Sequence, residues 1–342
     1  MKSIILSRGS DGKLGASLQE VRAPDAGPGE LVVTMKACGL CGTDLEKLRG
    51  EYAASMPVLG HEAVGVVSGV GDGVEGFRKG DRVFPHHHVP CYDCDYCRSG
   101  DETMCDMYRK SNLHPGGFSE KILVHEWNVA HGGVLKLPDE MSFEAGTLIE
   151  PVACCLRAVK KYAKPGETAL VVGAGPVGLM IALLLRPMVV KVILSDVSPA
   201  RLEFAKKMDL GDVIDAAKVD VTSMVRGETR GMGADVAIIA TGSGGAILQG
   251  LRAIRRGGRA CLFGVPPKGT VLDYDVSDLY NSGQQLVTSY AASDADTKEA
   301  MGEIASNPEF ARLITHRYPL VRFDDAVRAA TTTKAVKVIV TP

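Results

Sequence analysis

Charge of one sign does not dominate this chain. Its 342 residues carry 39 Lys and Arg against 41 Asp and Glu, with no long run of like charge to serve as an adhesive tail. That balance weighs against nucleic acid or an acidic membrane surface as the main partner. A secretory leader is not expected either: the apolar run in MKSIILSRGSDGKL is too short and gives way at once to polar residues and glycines. One uncharged stretch, from Thr168 to Leu185, imitates a membrane span. GAGPVG interrupts it, and a glycine turn between an apolar strand and an apolar helix explains it better than a lipid-facing helix. There is no internal repeat and no low-complexity segment. Nine cysteines without a leader argue against a disulfide scaffold, so the expectation is a soluble protein of a reducing, cytoplasmic compartment.

What the chain does have is enough length, with 45% hydrophobic residues, for two globular units. Two textures divide it. Up to about residue 150, short strand-like runs such as LVVTM and VGVVSGV are separated by glycine, proline and acidic turns, as in a mostly β domain with few helices. From about residue 152, apolar runs (ALVVGAG, KVILSD, ADVAIIATG, RACLFGV) alternate with longer amphipathic stretches. That alternation indicates an α/β, doubly wound domain with a parallel sheet. After about residue 290 the texture loosens, and the chain closes on a helix-like stretch from Asp324 to Ala330 and a last strand, VKVIVT.

Three motifs carry chemistry. Gly173, Gly175 and Gly178 form G-x-G-x-x-G between the strand ALVV and a helix opened by Pro176 and Val177, which is a dinucleotide-binding turn. The next strand ends in Asp196, whose carboxylate suits the hydroxyls of an adenosine ribose and repels a 2′-phosphate. NAD is therefore preferred to NADP, although Arg201, one helical turn on, could meet a phosphate, and Asp196 could instead cap the helix beginning near Ser198. Cys91, Cys94, Cys97 and Cys105 have the spacing of a closed structural zinc site, with an iron–sulfur cluster as the rival. Cys41, His61 with Glu62, and Glu150 are more scattered. One thiolate, one imidazole and a carboxylate could bind zinc and leave a position open, as a catalytic site requires.

CGLCGTD, GHEAVGVV, the four-cysteine loop, VVGAGPVG and the closing KVIVTP, in this order and from end to end, resemble the zinc-dependent medium-chain alcohol dehydrogenase family. Glu rather than Cys in LIEP is most similar to its polyol (sorbitol-like) and threonine dehydrogenase branch. The resemblance implies a GroES-like catalytic domain from residues 1–151 and 290–342, a Rossmann domain over 152–289, and a homo-oligomer, with a tetramer favoured over a dimer. It implies two zinc ions and NAD, with Cys41 and His61 as catalytic zinc ligands, Glu62 and Glu150 as exchangeable ones, and Thr43 passing the alcohol proton outward. Glu46 stands where many relatives have a relay histidine. His88 falls where threonine dehydrogenases have a substrate-positioning histidine. Thr241, Val265 and Ser289 with Tyr290 match the nicotinamide lining, and Lys337 matches a cation for the pyrophosphate.

The function so implied is NAD-dependent oxidation of a secondary hydroxyl on a polar small molecule, a polyol or sugar first, with threonine or a 2,3-diol as the alternative. A non-catalytic nucleotide-binding protein is the reading from another class. A zinc ribbon on nucleic acid would need a basic surface that the near-neutral charge does not supply. Cys38, Cys154, Cys155 and Cys261 sit among small apolar residues and read as core.

Overall fold

A computed structural model describes residues 1–8, 14–50 and 58–342. The chain divides into two units, Met1–Ala153 with Ala292–Pro342, and Cys154–Ala291.

In the first unit the organising element is the strand Leu31–Gly39, buried at seven of its nine positions. Along one edge it pairs antiparallel with Glu62–Val70. Its other edge is shared by Lys121–Val124, which covers Leu31 to Thr34, and by the last strand, Lys337–Thr341, which covers Cys38 and Gly39. Val33, Met35, Val67, Ile122, Phe118, Phe323 and Val338 fill the core around this crossing. The register has a functional consequence, because Gly39 stands opposite Glu62 on one side and Ile339 on the other. One end of the sheet thus collects Leu40 and Cys41, His61 and Glu62, and Lys337. Several short helices interrupt this β-rich stretch, the longest before residue 149 being Gly42–Arg49.

The second unit holds six parallel strands in the order Asp212–Asp215, Lys191–Asp196, Thr168–Val172, Ala234–Ile239, Ile254–Leu262, Gln285–Thr288. The strand order reverses between Thr168–Val172 and Ala234–Ile239, which is where such sheets open a crevice for ligands. The uncharged stretch resolves into the strand Thr168–Val172 and the helix Pro176–Leu185. Among the described residues, no helix is long and apolar enough to cross a membrane.

Several elements lie outside the sequence reading, among them two short strands and a helix. Asp212–Asp215 and Gln285–Thr288 are strands of four residues, too short to show a period. The helix Asp294–Ser306 occupies the region where the texture loosens, opened by a reciprocal cap between Ser293 and Asp296.

Candidate metal and dinucleotide sites

The loop from Cys91 to Cys105 brings its four sulfurs together. Cys91 Sγ lies 3.5 Å from Cys105 Sγ and 4.0 Å from Cys97 Sγ, and Cys94 Sγ lies 3.5 Å from Cys97 Sγ. A tetrahedron with zinc–sulfur bonds of 2.3 Å has edges of about 3.8 Å, so the donor set fits a structural zinc. The Cys94 amide donates to Cys91 Sγ at 3.3 Å and the Cys91 amide to Cys105 Sγ at 3.4 Å, which favours thiolate. Amide donors from Asp93 and Cys94 draw the Cys91 thiol down to about 7, whereas burial and the neighbouring thiols push Cys97 up to about 12. A central cation would relieve that crowding.

The second cluster forms at the sheet end described above. One ligand atom from each of Cys41, His61 and Glu62 lies within 4.8 Å of the others. Cys41 is the N-cap of the helix Gly42–Arg49, and His61 directly precedes the strand that begins at Glu62. Asp44, fully buried, ties the two segments: its Oδ2 accepts from the Cys41 amide at 3.1 Å, and its Oδ1 accepts from the Gly60 amide at 3.0 Å. Asp44 Oδ1 also stands 3.6 Å from His61 Nδ1. Burial opposes protonation of His61, but Asp44 and Cys41 outweigh it and raise the imidazole well above its usual value. The site is strongly cation-seeking, and its thiolate, imidazole and carboxylate suit zinc. Glu150, buried in the first turn of the helix Ile149–Tyr162, stands outside the three-residue group but close enough to help burial raise the Glu62 carboxyl.

Lys337 requires a correction. Expected on a pyrophosphate, it is buried in the first unit, with Nζ donating to Glu62 Oε1 at 2.6 Å and to Leu40 O at 3.2 Å. Burial works against its charge, but Glu62 and Cys41 hold it above the ordinary lysine range. The register of the last strand against Gly39 places it there.

Thr43 and Glu46 share a face of the helix Gly42–Arg49, three residues apart, both partly exposed. The three adjacent histidines separate in role. His88 donates through Nδ1 to Ser111 O, 2.7 Å away, and is not the residue whose ring meets that of His61. His87 is, its ring centroid 5.0 Å from that of His61. His86 pairs with Asp294 at 2.8 Å, and Tyr92, inside the four-cysteine loop, donates to the other Asp294 oxygen at 2.7 Å.

The second unit carries the glycine turn. Gly173 has φ +101°, and a Cβ on Gly178 would stand 1.8 Å from Gly173 O, so both glycines are required by the turn itself. Gly175 is different: a Cβ there would meet nothing nearer than Arg201 at 3.8 Å. The space beside it, at the N-cap of the helix Pro176–Leu185, fits a dinucleotide pyrophosphate against the unpaired amides of Pro176's helix. Asp196 accepts from the Ala174 amide at 2.7 Å and from the Ser198 amide at 2.8 Å, bracing the turn, while Ser198 is the cap of the next helix. Arg201 Nη1 lies 3.7 Å from Asp196 Oδ2. Thr241, Val265 and Ser289 follow the C-terminal ends of three neighbouring parallel strands, and the Ser289 hydroxyl is buried without a partner among the described residues. Tyr290 is exposed, Cys38, Cys155 and Cys261 are core, and Cys154 is only partly buried.

Sequence reasoning missed Asp44, His87 and Asp294. For Asp44 the signal was available, an acid three residues after a helix cap. Nothing in the spacing singles out the other two.

Residues 27–139 match the alcohol dehydrogenase GroES-like domain, and residues 176–306 the zinc-binding dehydrogenase family. The chain is 29% identical to a sorbitol dehydrogenase of Halalkalibacterium halodurans, covering 100% of this chain and 99% of that one. It is 31% identical to an L-threonine 3-dehydrogenase of Deinococcus deserti, over 78% of each. Among solved structures it is similar to a zinc-binding dehydrogenase from Sinorhizobium meliloti bound to NADP, with a TM-score of 0.87, 27% identity and complete coverage of both chains. It is similar also to a 2R,3R-butanediol dehydrogenase from Bacillus subtilis, with a TM-score of 0.83 and 26% identity over 100% of this chain and 99% of that one.

Proposed function

The chain belongs to the zinc-dependent medium-chain alcohol dehydrogenases, with a GroES-like domain and a Rossmann domain, and on that premise we propose that it oxidises a secondary hydroxyl of a polyol, sugar or diol with NAD, reversibly. The observation that carries this reading is the convergence of Cys41, His61 and Glu62 within 4.8 Å, a set a purely nucleotide-binding protein would not need. When bound, zinc supplies Lewis acidity that eases loss of the alcohol proton, and the nicotinamide accepts the hydride.

The chain's own residues do the rest. Asp44 aims His61 and fixes the Cys41 turn. The Thr43 hydroxyl takes the alcohol proton toward water, with Glu46 on the same helix face as its next station. Lys337 holds Glu62 as carboxylate and balances its charge, leaving Glu62 and Glu150 as alternating donors to the metal. Asp196 supports NAD over NADP, since a 2′-phosphate beside a buried carboxylate is repelled. The sheet edge Gln285–Thr288, with exposed Leu286, Tyr280 and Val276 nearby, supports a homo-oligomer, proposed as a tetramer, which a solution mass measurement would test.

The test is NADH formation, followed by absorbance, across polyols, aldoses, 2,3-butanediol, simple alcohols and L-threonine, with wild type beside Cys41→Ser. Turnover of one hydroxyl class that vanishes in the variant supports the proposal. Silence across the panel by a protein that holds zinc and binds NAD favours the non-catalytic reading.

A further inference from the structure

Two of the three adjacent histidines hydrogen-bond the protein through Nδ1, although His86 Nε2 is buried without a partner among the described residues, and the third makes no such bond. His86 Nδ1 pairs with Asp294 at 2.8 Å, and His88 Nδ1 with Ser111 O at 2.7 Å. The backbone between them is pinned as well, with Asn128 Nδ2 donating to His86 O at 2.9 Å and to His87 O at 3.1 Å. His87 has no hydrogen bond through its ring among the described residues, and its Nδ1 is buried without a partner. Its ring is nevertheless held in place, 4.0 Å from the His88 centroid, 5.3 Å from that of His86 and 5.0 Å from that of the metal ligand His61.

Any ring would serve as packing there. An imidazole that makes no hydrogen bond to the protein, fixed between immobilised neighbours beside a metal site, is a polar group waiting for a ligand atom. A neutral imidazole carries one donor and one acceptor, which matches a hydroxyl, itself both donor and acceptor. Burial around this ring disfavours positive charge, and Lys47, anchored through Nζ on Val58 O at 2.7 Å, adds to that. The carboxylate that faces His61, Asp44, is already taken by two amides, so a substrate ammonium finds no free counter-charge in it.

We propose that His87 is a specificity-determining residue that hydrogen-bonds a second substrate hydroxyl, on the carbon next to the one being oxidised, so that the preferred substrates are vicinal diols and polyols rather than simple alcohols or amino alcohols. This rests on the alcohol-oxidising reading and narrows its substrate class. The experiment compares kcat/KM for 2,3-butanediol and for 2-butanol in zinc-loaded wild type, His87→Phe and His87→Gln, with zinc content measured for each and diol binding followed by calorimetry. His87→Phe is expected to lower the diol-to-monoalcohol ratio by about tenfold and to weaken diol binding by a similar factor, the worth of one such hydrogen bond, while His87→Gln keeps part of the preference. An unchanged ratio in both variants overturns the proposal, as does loss of zinc from both, which would make His87 a support of His61. Faster turnover of L-threonine than of the diol by wild type overturns the substrate class alone. A wild type that turns over no alcohol at all overturns the alcohol-oxidising reading and this proposal with it.

Discussion

Gly39 shows how closely the Cys41, His61 and Glu62 cluster is built. A Cβ at this position would stand 1.8 Å from Glu62 Oε2 and 3.0 Å from Lys337 Cε. Gly39→Ala must therefore displace the buried ion pair, and the expected cost is about 1–3 kcal/mol of stability, read from denaturant unfolding, with a fall in zinc retention at the Cys41 cluster. His88 offers a separate test through pH. Burial depresses its pKa to about 3, so the unfolded chain takes up a proton below the usual histidine value of about 6.5 while the folded chain does not. Stability from this group is complete above that value and is lost as pH falls toward the folded value, with a slope of at most about 1.4 kcal/mol per pH unit. His88→Asn, which can keep a donor for Ser111 O, should flatten the acid limb of a stability profile; an unchanged slope would place the titrating group elsewhere.

At the level of elements, the glycine turn separates two requirements that a sequence motif merges. Gly178→Ala collides with Gly173 O and should unfold the turn, costing stability and dinucleotide binding together. Gly175→Ala meets open space at φ −74°, a conformation any residue adopts, so it should melt near the wild type yet bind NAD much more weakly. Equal binding in the Gly175 variant would remove the pyrophosphate from that position. The same contrast explains what the sequence could reveal. The glycine turn, the four-cysteine loop and the longer strands are local patterns, each complete within about fifteen residues. Lys337 was misjudged because its partner, Glu62, is 275 positions away in sequence and is reached only through the register of the last strand on Gly39. His87 and His88 are neighbours that no periodicity tells apart, and only the hydrogen bond to Ser111 does so. The strand Gln285–Thr288 was missed because four residues carry too little pattern.

For the whole molecule, the chain path sets what can fold alone. The first unit needs both ends of the chain, because Lys337–Thr341 lies between Ile314–Pro319 and Leu31–Gly39 in its sheet. Residues 154–291 form a continuous unit with all six parallel strands. Expressed alone, 154–291 should unfold cooperatively and retain dinucleotide binding, while 1–153 should not, as circular dichroism melting of the two fragments would show. Both candidate metal clusters and the proposed diol contact belong to the unit that requires both ends, so activity should demand the full chain.

The central claim is hydride transfer from a carbinol carbon, and isotope transfer tests it most directly. Wild type with zinc, NAD and 2,3-butanediol deuterated at the carbinol carbons should give NADH one mass unit heavier, and Cys41→Ser should give none. Unlabelled NADH, or deuterium released to water, would contradict the account.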